Sequence, residues 1–305
     1  GSRNTAIGYA ALTDQNFTTA TNSYNVGVGF YAGTDITTGI HNTIVGSLAG
    51  DAITDADNNV AVGYNSLSAD TLGSKSVAIG RAALNAQNFT TATDTHNVAV
   101  GYNAGLSVTT AVDHTLIGGL AGDALTTGTR SVAVGRSALS TETTASRSVA
   151  VGNSALSAQN VGGSGDSGNT AVGSEAGASV TTGIRDTLVG YQAGDALTDA
   201  DENVAIGYAA LSADTLGSQS VAIGTQALTN QNFTTSTDSF NTAVGHSTGQ
   251  ALTTGVKNTI IGGLAGDAIT DADFNVVVGF QALSTNSLGS ASVAIGTSAL
   301  ENQNP

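Results

Sequence analysis

The densest run of side chains able to do chemistry is Asp51-Ala52-Ile53-Thr54-Asp55-Ala56-Asp57. It recurs as Asp195, Asp199 and Asp201, and again as Asp267, Asp271 and Asp273. Carboxylates gathered on a turn are hard oxygen ligands of the kind Ca2+ takes, so these nine residues are the candidate metal ligands. One further copy degrades to Asp123-Ala124-Leu125-Thr126-Thr127-Gly128-Thr129. The spacing matches neither the EF-hand nor the nonapeptide calcium solenoid, and solubilising charge is the competing reading. His41, His96, His114 and His246 are scattered with no obvious pair and read as solvated polar substitutions. Two carboxyls about 5–9 Å apart would suffice for glycoside hydrolysis, yet the repeat described below hardly breaks anywhere to house them. No catalytic residue, no enzyme activity and no organic cofactor is expected. The Gly162–Gly168 stretch lacks both the lysine and the following helix of a phosphate loop. Tyr9, Phe30, Tyr64, Tyr102, Tyr191, Tyr208 and Phe280 are expected to pack along the outside, with sugar stacking as the alternative. Thr37-Thr38 and its cognates recur once per long block, so no flat threonine array for ice binding is expected.

Composition narrows the classes further. The 305 residues carry a formal charge of −15, from Lys+Arg 8 against Asp+Glu 23. So few basic residues argue against nucleic-acid binding, which neutralises phosphates with Lys and Arg. The chain has no cysteine, which removes disulfides, thiolate nucleophiles and Cys-ligated zinc. No run of about 18 apolar residues is present, so no membrane insertion is expected within this fragment. Gly1-Ser2 reads as an expression scar ahead of a single domain spanning residues 3–305.

The elements that must position these groups are written as a repeat. A unit Asn/Ser–Val/Thr–Ala–Val/Ile–Gly, such as Asn59-Val60-Ala61-Val62-Gly63, occurs 17 times. The spacing between its glycines runs 21, 17, 17, 17 and repeats every 72 residues. β-Branched residues on either side of a central Ala favour a short strand, and Gly permits the bend that follows. A unit this short cannot bury its own core, but stacked units can. The expected fold is all-β: a single-domain parallel β-solenoid, or β-roll, of 17 coils. The four extra residues of each longer coil, at Gln15, Gln87, Gln159 and Gln231, are expected as side loops. If the Val/Ile columns fill the coil, the alternating side-chain direction of a strand turns the Ala column outward. One large residue per block stands in that column: Ile44, Leu116, Leu188 and Ile260, joined by Val277. These are the expected oligomer interface.

The stacked Asn/Ser-Val-Ala-Ile-Gly units resemble the head repeats of trimeric autotransporter adhesins, the YadA-like left-handed parallel β-roll. The longer form Asn-Thr-Ala-Val-Gly-x-x-Ala-Leu is similar to repeats of phage tail fibres. The resemblance covers residues 3 to 300, although the adhesin coils are shorter, at about 14 residues. It implies a homotrimeric, extracellular fibre segment of a virion tail fibre or bacterial cell surface, meeting a host-surface glycan or protein receptor. The alternatives are a polysaccharide-degrading tail spike and, more distantly, an ice-binding solenoid.

Overall fold

The computed structural model describes residues 1–163, 165–285 and 289–302. The chain is an all-β parallel solenoid without helix among these residues, and its coils fall into two compact units. The first holds Gly1–Ser148 with Gly162–Gly165; the second holds Val149–Val161 and the chain from Asp166 onward. Eight three-residue strands, from Thr5–Ile7 to Val132–Val134, belong to the first unit, and nine, from Val149–Val151 to Val293–Ile295, to the second. Within each unit neighbouring strands pair in parallel with equivalent residues opposite, as Thr43↔Val60, Ile44↔Ala61 and Val45↔Val62 do. The column pattern read from the sequence is therefore also the spatial register.

The facing is the reverse of the expected one. From Val26–Val28 onward the middle residue of each three-residue strand is buried and its two β-branched neighbours are not. Ile44, Leu116, Leu188, Ile260 and Val277 are wholly enclosed inside their own coils. They form no oligomer interface; they are core. Coil thickness explains why. Each strand ends on a glycine at φ near +140°, as at Gly46, where a Cβ would stand 2.5 Å from the carbonyl oxygen of Gly63 in the next coil. Inside the coil, a Cβ on Gly27 would already stand 2.7 Å from Leu12 Cγ and 3.2 Å from the Ala32 carbonyl oxygen, so there is room for little beyond alanine behind most strands.

Larger side chains enter where another position gives way. The fourth residue after the strand glycine is Leu12, Leu67, Leu84 or Leu139 in some coils and Gly33, Gly50, Gly105 or Gly122 in others. A Cβ on Gly105 would meet Leu116 Cδ1 at 2.7 Å, and one on Gly122 would meet Leu116 Cδ2 at 2.8 Å. Leu116 thus fills the space that two successive glycines leave open, and Leu188 does the same over Gly177 and Gly194. The seventh residue after the strand glycine completes the exchange. It is apolar and buried in the glycine-containing coils (Ile36, Ile53, Val108, Leu125) and polar in the leucine-containing ones (Asp70, Gln87, Glu142).

The polar seventh residues anchor the longer coils. Asp70 Oδ1 accepts the N–H groups of Gly73 and Phe89, each at 3.1 Å, and Asp70 Oδ2 accepts from Gln87. Gln87 donates to Ser76 Oγ at 2.8 Å and accepts from Asn97 at 2.9 Å. Asp214, Gln231, Ser220 and Asn241 repeat this network in the second unit. The extra residues are accordingly tied down, Phe89 and Phe233 being buried and Thr93–Asp94 pairing with Gly73–Ser74. Ser164, part of the glycine-rich stretch, lies outside the described residues.

The Asn/Ser preceding each strand forms a buried ladder. Asn42 Oδ1 accepts the N–H of Asn59 at 2.9 Å, while Asn42 Nδ2 donates to the Ala56 carbonyl at 2.8 Å. Amide side chains thereby satisfy backbone groups that would otherwise be buried unpaired. His114 occupies one rung in the same manner: Nδ1 accepts from Ser131 N–H at 3.2 Å and Nε2 stands 2.7 Å from the Gly128 carbonyl. Only the neutral ring protonated on Nε2 makes both bonds. Burial pushes the His114 imidazole below its ordinary value, against the opposing pull of the Gly128 and Ser131 backbone and of Asp113. A depressed histidine contributes stability above about pH 6.5 that is lost as the pH falls through that value. Replacing it by the ladder's usual residue, His114→Asn, should remove this loss. The check is the urea midpoint at pH 5 relative to pH 7.5, where the wild type should fall further than the variant.

Candidate functional site

The acidic turns do not assemble a metal centre. Among the described residues no three His, Asp or Glu side chains gather closely enough to hold an ion. Five of the nine carboxylates instead serve the preceding coil. Asp57 Oδ1 accepts the Ile40 N–H at 2.7 Å, as Asp201 does for Ile184 and Asp273 for Val256. Asp55 accepts from the Thr38 hydroxyl and Asp199 from that of Thr182. Asp271 lies 3.3 Å from Thr270 Oγ1. Asp51, Asp195 and Asp267 keep one carboxylate oxygen buried without a hydrogen-bond partner, and burial pushes all three carboxyls up from their ordinary value. The triad spacing thus spreads its members along the turn rather than converging them: in place of the expected Ca2+ ligand set, Asp57, Asp201 and Asp273 cap backbone N–H groups.

Other groups weighed from the sequence stay apart as well. His41 stacks on Tyr24 at 5.5 Å, and His96 lies 3.5 Å from Asp113 at the surface. No cavity opens among the described residues. The threonines are more ordered than expected. Thr37, Thr54 and Thr71 stand on consecutive coils, as do Thr109, Thr126 and Thr143. Their hydroxyls, however, donate to the carbonyl of the equivalent residue one coil on, at 3.3 Å from Thr37 and 2.8 Å from Thr126. The rank was hidden because its members sit in different local motifs, Thr37-Thr38, Thr54-Asp55 and Thr71-Leu72. The 17-residue offset alone reveals it.

What the solenoid leaves unsatisfied is an apolar sheet face. The first and third strand positions, Val/Thr and Val/Ile, point away from the core in both units. Ile79, Ile117 and Ile206 are 38, 39 and 36% exposed, although each sits mid-sheet with paired strands on both sides. No charged residue occurs in either column. Both faces of these strands are therefore uncharged and mostly apolar, with Thr in seven of the first positions, a pattern close to that of sheets covered on both sides. Along one margin runs the residue after the strand glycine, often aromatic and exposed. Tyr191 and Tyr208 stack at 5.9 Å, and Arg81 lies over the rings of Tyr64 and Tyr102 at 5.9 and 5.4 Å. No helix of the structure is long and apolar enough to cross a membrane.

If the acidic turns cap backbone rather than bind metal, Asp57→Ala leaves the Ile40 N–H without its acceptor. The loss should be about 0.5–2 kcal/mol, the usual cost of removing a side-chain cap. Chemical denaturation with and without millimolar Ca2+ checks this: the loss should be the same in both, and Ca2+ should not move the wild-type midpoint.

Comparison of the chain with protein-family models, with curated proteins and with solved structures finds no match in any of the three.

Proposed function

We propose that this chain is a structural and adhesive fibre segment that assembles with copies of itself through the outward Val/Ile/Thr face. The uncovered apolar sheet face is the observation that carries the reading. At the usual strand spacing and rise the face amounts to about 400 Å² in each unit. Its occupant is a second copy of the same chain, because a surface ridged at the strand spacing is matched by the same ridges on another copy. A flat, uncharged, β-branched face in a chain of net charge −15 also suits a partner that places no charge there.

The trimeric number and the setting rest on the resemblance of the Asn/Ser-Val-Ala-Ile-Gly units to adhesin heads and tail-fibre repeats. On that reading the segment is extracellular, on a virion tail fibre or a bacterial surface. Its turns and aromatic margin remain free for a host-surface glycan or protein receptor. No observation favours the polysaccharide-degrading spike over this reading, and the threonine hydroxyls that would serve an ice-binding face are engaged with backbone carbonyls.

One lysine in each unit tests the assembly. Ile79→Lys with Ile206→Lys places charges at half-exposed strand positions that a lone chain tolerates, whereas an interface would bury them at several kcal/mol each. Light scattering should find the wild type at three times the 29.9 kDa chain mass and the double variant at the single-chain mass with its β circular dichroism kept. A wild type of single-chain mass, or a variant that remains a full oligomer, overturns the proposal.

A further inference from the structure

One rung of the buried ladder carries a carboxyl in place of an amide. Asp186 is wholly enclosed and stands between Asn169 and Asn203 of the adjoining coils. Its N–H donates to Asn169 Oδ1 at 2.8 Å, and its own Oδ1 accepts the Asn203 N–H at 2.8 Å. Half of the work of an asparagine is thus done. The other half is a donor: Asn42, Asn97, Asn169 and Asn241 each give an Nδ2 proton to the carbonyl 14 residues ahead. The same register puts the Ala200 carbonyl at that station for Asp186. Asp186 Oδ2 is buried without a hydrogen-bond partner. An ionised carboxylate facing a carbonyl sets two acceptors against each other, whereas a protonated one supplies the missing donor.

We propose that Asp186 is a proton-held rung: it carries a proton on Oδ2, donates it to the Ala200 carbonyl, and on losing that proton loosens the surrounding coils of the second unit. The surroundings agree. Burial is the largest influence on the carboxyl and raises it to about 7, opposed by the hydrogen bonds from Asn203 and assisted by the charge of Asp201. The other charged neighbours, Arg185 and Glu202, pair with each other at the surface at 3.1 Å. A carboxyl raised in the folded state contributes stability that is complete below the ordinary carboxylate range and drains away as the pH rises through the folded value. The sense is opposite to that of His114, which weakens the first unit toward acid. The second unit is therefore alkali-sensitive by a single residue.

The test is hydrogen exchange of the full chain, read as protection factors at Thr187, Asn203 and Val204. From a carboxyl at about 7, linkage predicts a loss of protection on the order of a hundredfold between pH 5 and pH 8. Asp186→Asn restores the native rung and should abolish the loss, and Asp186→Ser, the ladder's other residue, should do so too. The 13C resonance of the Asp186 carboxyl should titrate well above the ordinary carboxylate range in the wild type. Protection that is flat with pH in the wild type, a variant as pH-dependent as the wild type, or a carboxyl titrating in the ordinary range each overturns the proposal.

Discussion

The structure depends on how closely its coils approach at the strand glycines. With each glycine at a φ that side chains rarely adopt, the backbone turns within about one Cβ radius of the glycine carbonyl in the next coil. Any side chain there would force the stack apart. Within the coil the middle of the strand is mostly alanine, and Ile44, Leu116, Leu188 and Ile260 enter where a glycine four residues past the bend releases volume. Core packing at crystal-like density is reached here by exchange between three columns rather than by large residues throughout. Leu116 with Gly105 and Gly122 shows the exchange in full.

That constraint decides what the chain presents to its surroundings. Because alanine fills the interior, the β-branched residues on either side of it have nowhere to go but out. Every coil then contributes a Val or Ile, beside a second Val or a Thr, to a face that its own chain does not cover. Much of the hydrogen bonding is made internally, by the Asn/Ser ladder, the threonine hydroxyls and the Asp-capped turns, so the outward strand face offers a partner mostly uncharged area. Such a surface suits permanent assembly better than transient recognition.

Much of the fold was legible in the sequence. The 17- and 21-residue spacing places the strands, their parallel pairing and their register, because a residue and its cognate one repeat later lie opposite each other. The facing was not legible from strand propensity, since Val and Ile serve equally well inside or outside a sheet. It was present in the correlation between columns: Ile44, Leu116, Leu188 and Ile260 appear only in coils that pair with glycine at the fourth position. The carboxylates misled for a related reason. Asp51, Asp55 and Asp57 are close in sequence, but a solenoid turn fans successive side chains apart and hands Asp55 and Asp57 to the preceding coil. His114 and Asp186 stood in the Asn/Ser column from the outset, and that column identity, more than their chemistry, explains their burial.

In the proposed assembly Leu116 and Ile117, adjacent in one strand, face opposite ways: one into the coil interior, the other toward another copy of the chain. The chain has no cysteine, so a single introduced thiol reports on one position alone. Treating Leu116→Cys and Ile117→Cys proteins with a short bis-maleimide at low protein concentration is the direct measurement. Covalent oligomers from Ile117→Cys and none from Leu116→Cys are predicted. Cross-linking through Leu116→Cys, or an Ile117→Cys thiol that reacts freely yet never joins two chains, would contradict it.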